Sequence, residues 1–198
     1  MATAITSLVM TAVLILGSPG PAPIALAASS ATFGLRRALP FYFGIMTGLA
    51  LVALASAAGL EALFSHVPNL RRVLEAVAAL YIVYLAYRIA TASPPGDPAN
   101  AGGAPRFRDG LLLNVLNPKS YAAFLAIFSQ SLLPMNSTLW AYGLTAGTCL
   151  AVAASTNIVW VASGELLTAW LRRPRAARVI RSVLATAMVA AVLWAMFG

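Results

Sequence analysis

The sequence has little charge and almost none of the residues that build catalytic or metal centres. Only 9% of its 198 residues are Asp, Glu, Lys or Arg, against about 25% in a typical soluble domain. That is too little polar surface to hold a folded chain in water, so an integral membrane protein is expected. A single cysteine, Cys149, excludes an intrachain disulfide, a thiol–disulfide carrier and a cysteine metal cluster. It reads as a small packing residue. The single histidine, His66, lies in a short loop between apolar runs. Its position removes an intramembrane serine protease and a His-based metalloprotease. No cofactor is expected. The net charge is +8, but the basic residues are scattered through short loops. A nucleic-acid partner would need them on one soluble face.

What the chain does have is apolar length, 61% of it hydrophobic. Six runs, at 3–30, 39–64, 70–91, 109–133, 139–170 and 176–197, each reach the roughly 20 residues that a bilayer requires. The stretch 93–105 is too rich in Pro and Gly for a helix. The expected fold is therefore all-α and integral to the membrane. Two halves of three spans, 1–92 and 109–198, are joined through a linker at 93–108. Residues 4–16 and Ala25-Leu26-Ala27 have some look of a signal peptide. There is no basic n-region, so a retained first helix is expected.

Arginines set the orientation. Arg36, Arg37, Arg88, Arg106, Arg108, Arg172, Arg173, Arg175, Arg178 and Arg181 flank one side; Arg71 and Arg72 flank the other. The richer side belongs in the cytoplasm. Both termini are then expected to face outward, with the linker inside. Three spans per half give the halves opposite orientations, the plan of an inverted repeat. The cluster at 172–181 reads as a topology anchor against anionic headgroups.

Two of the runs carry proline breaks in corresponding positions. Ser18-Pro19-Gly20-Pro21 interrupts the first, and Asn117-Pro118-Lys119 the fourth. Proline lacks an N–H and clashes with the preceding turn. Interrupted backbone survives in a membrane only where protein covers it or a wet cavity lies beside it. Paired broken helices point to a transporter's binding site. The competing reading is a kink that merely bends the span. Lys119 falls near mid-depth, where a cation costs at least ~2.5 kcal/mol and is a functional candidate by default; snorkelling to the headgroups is the alternative. Asn117 is placed to cap the half-helix that follows.

Other polar residues are less telling. Gly44-xxx-Gly48 permits close helix packing. Asn157 and Ser155 are polar at mid-depth; bonding across helices and facing a cavity are both open. Glu165 and Glu61 read as interfacial. Glu75 follows Arg71 by four residues, the spacing of a helix-face ion pair. Tyr81, Tyr84 and Tyr87 share one helix face and read as a packed stripe rather than a pore lining.

Taken together, these motifs resemble the LysE/RhtB family of amino-acid exporters along almost the whole chain. The resemblance rests on Ser18-Pro19-Gly20-Pro21 and on Gly34-Leu35-Arg36-Arg37. It continues through Tyr81-Ile82-Val83-Tyr84-Leu85-Ala86-Tyr87-Arg88 and through Asn117-Pro118-Lys119 with Phe124. It implies export of amino acids or close derivatives driven by the proton motive force. Ser29-Ser30-Ala31-Thr32, Tyr81-Ile82-Val83 with Arg88-Ile89-Ala90-Thr91, and Asn157-Ile158-Val159-Trp160 with Gly164 look most like the cysteine/O-acetylserine branch.

The chain departs from the family at three places. Leu49 and Asn157 stand where many members carry an acid, and Ala22 where Asn is usual. No buried carboxylate then remains for a cationic side chain, which favours a small neutral substrate. The expected site comprises Ser18, Pro19, Gly20, Pro21, Asn117, Pro118, Lys119 and Asn157. The expected partners are an amino-acid-like solute, the lipid bilayer and protons; homo-oligomerisation is left open. A non-transporting scaffold or sensor subunit is the alternative reading. Convergence of Ser18, Asn117, Ser155 and Asn157 on one cavity would separate the two.

Overall fold

A computed structural model describes residues 1–59, 68–92, 103–171 and 174–197, and every regular element among them is an α-helix. Linker residues 93–102, Glu61 and His66 lie outside the described residues, as do the side chains of Arg71, Glu75, Arg172, Arg173 and Arg175.

Both proline motifs break a helix. α1 covers Ala2–Leu16 and α2 covers Pro21–Phe33, with a bend of 66° between them. Pro21 occupies the first turn of α2, where its missing N–H costs nothing. The unwound stretch is therefore 17–20, and Pro21 belongs to the helix that follows. In the second half α5 covers Phe107–Val115 and α6 covers Pro118–Gln130, bent by 58°. Asn117 caps α6, its Oδ1 accepting the Lys119 backbone N–H at 3.1 Å.

The remaining helices are α3 (Leu35–Ala57), α4 (Pro68–Ala90), α7 (Thr138–Leu171) and α8 (Pro174–Phe197). α3 and α7 are each long and apolar enough to cross a bilayer alone. Each bent pair meets the same measure as one unit, giving two spans or up to four among the described residues. The apolar part of α4 is the shorter Ala76–Ala90.

Two seams bring backbones into contact. A Cβ on Gly44 would strike the Phe107 carbonyl, and one on Gly110 the Phe41 carbonyl. A Cβ on Gly48 would lie 2.8 Å from the Leu111 carbonyl oxygen. The spacing of four puts Gly44 and Gly48 on one face of α3, and α5 lies in the groove they leave. In the same way Gly164 lets α7 close on α2 at Ala27.

Among the described residues, packing forms a small apolar core at Ala31 and Ala177 and two large ones. One gathers Leu26, Phe41, Ile45, Leu85, Leu113 and Met188 around α2. The other gathers Leu8, Leu49, Phe124, Ile127 and Cys149 beside α1 and α6. Met46 touches both. α2 is buried on nearly every face, as befits a helix apolar all round. The outside is also apolar: Leu80, Leu139, Leu166 and Trp194 are all exposed. So broad an apolar exterior suits lipid rather than water.

The glycine seam yields a first prediction. Overpacking a tight contact costs about 1–3 kcal/mol. Gly44→Val should lower the thermal midpoint in detergent. Gly143→Ala, whose Cβ meets nothing within 4 Å, should not. Size-exclusion survival after heating reads both.

Candidate functional site

Unwinding at 17–20 leaves carbonyls without helical partners, and their new partners define the site. The Gly17 carbonyl accepts from Trp160 Nε1 of α7 at 3.3 Å. The other two freed carbonyls are taken by Lys119, the sole lysine of the chain. Its Nζ donates to Ser18 O at 3.0 Å, to Ser18 Oγ at 2.8 Å and to Pro19 O at 3.3 Å. An ammonium has three protons, so this one is saturated. Gly20 makes the approach feasible, because a Cβ there would sit 2.8 Å from Nζ. Lys119 therefore does not snorkel; it reaches from one break to the other.

A cavity of about 40 Å³ lies between the breaks. That is room for a few waters, well below the ~300 Å³ at which ligand pockets begin. Gly20, Asn114, Asn117, Lys119, Ser120 and Asn157 supply its polar lining; Leu16, Ile45, Leu49 and Ala153 are among its apolar walls. Asn114 is buried, donating to the Ile45 carbonyl at 2.8 Å and accepting from Ser120 Oγ at 2.5 Å. Asn157 donates from Nδ2 to Met46 Sδ at 3.6 Å, and its Oδ1 has no partner.

Of the expected residues, Gly20, Asn117, Lys119 and Asn157 meet at this cavity. Ser18 and Pro19 hold Lys119 from behind. Pro21 and Pro118 start the two half-helices. Ser155 does not join them; it is exposed, and its hydroxyl bonds the Ala151 carbonyl of its own helix. Sequence reasoning missed Asn114, Ser120 and Trp160. Asn114 had a faint signal, lying one turn before Asn117.

A second polar group ties helix ends together away from the cavity. Asp109 is buried at the start of α5, where its Oδ2 accepts from the Arg106 backbone N–H at 2.6 Å. Arg88 Nη1 of α4 stands 3.5 Å from the same oxygen, and Tyr81 OH donates to Oδ1 at 2.9 Å. Arg88 also donates to the Gly103 carbonyl at 2.6 Å. Tyr84 and Tyr87 are exposed, so the tyrosines are not a packed stripe: one serves Asp109 and two face outward. Glu165 is more than interfacial, since its Oε2 accepts from the Leu35 N–H at 2.8 Å and caps α3. Arg181 is not a headgroup anchor either. It is buried, and donates to the Ala92 carbonyl just past the end of α4, where helix carbonyls attract cations.

Comparison with known proteins places the chain in a transporter family. The family model for the LysE type translocator matches residues 13–198. The chain is similar to the homoserine/homoserine lactone efflux protein of Salmonella typhimurium (strain LT2). Identity is 26% over 170 residues, covering 84% of this chain and 82% of that one. The protein of the same name from Salmonella typhi is equally similar, at 26% over 170 residues. An uncharacterized membrane protein of Pseudomonas aeruginosa is 28% identical over 175 residues, covering 83% and 81%. No solved structure matches.

The Asp109 cluster carries a second prediction. Asp109→Asn takes the carboxylate charge from beside Arg88 and leaves it the Gly103 carbonyl, at a cost of about 2–3 kcal/mol. Tyr81→Phe removes one hydrogen bond, at about 1 kcal/mol. Thermal unfolding in detergent should rank the wild type above Tyr81→Phe, and Tyr81→Phe above Asp109→Asn.

Proposed function

The chain belongs to the LysE type translocator family, and from that premise we propose that it exports small amino-acid-like solutes across the bacterial inner membrane by alternating access, driven by the proton motive force. The observation that carries this reading is the Lys119 ammonium spanning the two broken helices. A scaffold has no use for unwound backbone and a half-buried cation at one small cavity. A carrier uses both.

The proposed cycle turns on an exchange of partners. In the structure described, Lys119 is saturated by Ser18 and Pro19. A substrate carboxylate replaces those oxygens with a stronger, charge-assisted partner. Releasing Ser18 and Pro19 unlocks the first break, which then acts as the hinge. Loading the site and freeing the hinge become one event. The cavity enlarges as Lys119 leaves, which admits a molecule it is now too small to hold.

The reading supposes six spans in a 3+3 inverted repeat, with halves 1–92 and 109–198 and both termini periplasmic. The order of elements supports it: each half runs bent pair, long apolar helix, further helix. The arginine distribution supports the orientation, which would put the Arg88–Asp109 and Glu165–Leu35 ties on the cytoplasmic side. The names of the Salmonella relatives make homoserine the first substrate to try. Its neutral side chain suits a cavity with no acid among its lining residues.

The test is efflux of preloaded labelled homoserine, cysteine, O-acetylserine and lysine from expressing cells, with and without an uncoupler. Export of a neutral member, lost with uncoupler, is expected. Lys119→Ala should cut it at least about 10-fold, the loss of one charge-assisted contact, at unchanged membrane level. Unimpaired export by that variant would overturn the role given to Lys119.

A further inference from the structure

Three side-chain amides line the cavity, and two of them already have a donor on their oxygen. Asn117 Oδ1 accepts from the Lys119 backbone N–H, and Asn114 Oδ1 accepts from Ser120 Oγ. Asn157 differs. It is only 5% exposed, yet its Oδ1 has no partner. Turning the amide over would not help, because the oxygen would then face the Met46 sulfur, itself an acceptor. The NH₂ belongs on the sulfur and the oxygen is left over. A buried acceptor without a donor is costly and rare enough to require an account.

We propose that Asn157 reads the substrate's α-ammonium, its Oδ1 accepting a hydrogen bond from that group while Lys119 takes the carboxylate. This rests on the export reading above and narrows its substrate class. The two residues line the same cavity, and the two charged groups of an α-amino acid sit on one carbon. One cationic side chain and one neutral acceptor fit a zwitterion without extra charge. No carboxylate lines the cavity, so a second cationic group on the substrate would be buried unpaired. The site therefore selects α-amino acids with uncharged side chains, and it rejects carboxylates that lack the amine. A site built to bond a substrate donor discriminates strongly against the analogue without it.

The test is counterflow of labelled homoserine in proteoliposomes, with unlabelled homoserine or 4-hydroxybutyrate as competitor. The second compound keeps the carboxylate and the hydroxyl and lacks only the ammonium. In the wild type homoserine should compete about 10- to 100-fold better, the range for one hydrogen bond to a charged group. In Asn157→Leu that ratio should collapse toward one. Asn157→Ala reads the same ratio if the leucine variant does not fold. Asn157→Thr keeps a buried oxygen acceptor and should preserve part of the ratio. A ratio as large in the leucine or alanine variant as in the wild type would overturn the proposal. It would give the ammonium instead to the Ser18 and Pro19 carbonyls that Lys119 releases. Equal competition by both compounds in the wild type would overturn it too. Absence of wild-type counterflow with labelled homoserine, cysteine and O-acetylserine alike would overturn the export reading itself, a result distinct from both.

Discussion

The bond between the Lys119 ammonium and the carbonyls freed at 17–20 is the interaction on which the rest depends. Unwinding a helix exposes polar backbone, and lipid offers nothing to satisfy it. A lone ammonium at depth is as costly on its own. Each liability is the remedy for the other. Together they fix where the two bent pairs meet, and they leave Gly20 no room for a side chain. The neighbouring Gly17 carbonyl falls to Trp160.

The surroundings keep this pair aligned. α5 lies in the glycine groove of α3, and α2 closes on α7 at Gly164. One short helix of each bent pair is thus seated against a long apolar one. Ties at the far ends, Asp109 with Arg88 and Glu165 with Leu35, fasten the same helices where they emerge from the core. Movement in the proposed cycle is then concentrated at the breaks, where Lys119 gives up hydrogen bonds that a substrate can replace. Asn157 stands across the cavity with the one lining amide oxygen not already engaged.

Much of this was legible in the sequence, and the reason is chemical. Proline at 19, 21 and 118 has no helical substitute, so the breaks could be located without coordinates. Gly44 and Gly48 announced a seam by spacing alone. Asp109 was invisible because its partners, Tyr81 and Arg88, lie across the linker, and spacing says nothing about contacts between segments. The tyrosines misled for a related reason. Periodicity tells which residues share a face, but in a membrane protein both the inside and the outside are apolar. Arg181 shows the limit of counting charge: a basic residue near a helix end scores the same whether it meets a headgroup or caps a neighbouring helix. The unwinding also ends at Gly20, short of the last proline of the motif, because Pro21 starts a helix as readily as it ends one.

The most direct test of the central claim uses the fact that Lys119 is the sole lysine. Protein made with lysine labelled by nitrogen-15 and carbon-13 at the ε position, with a lysine-free tag, gives one side-chain resonance. Titration with homoserine should shift that resonance saturably, while 3-aminopropan-1-ol, which has the amine and the hydroxyl but no carboxylate, should leave it in place. A resonance unmoved at homoserine concentrations that saturate transport, or moved equally by both compounds, would contradict the account.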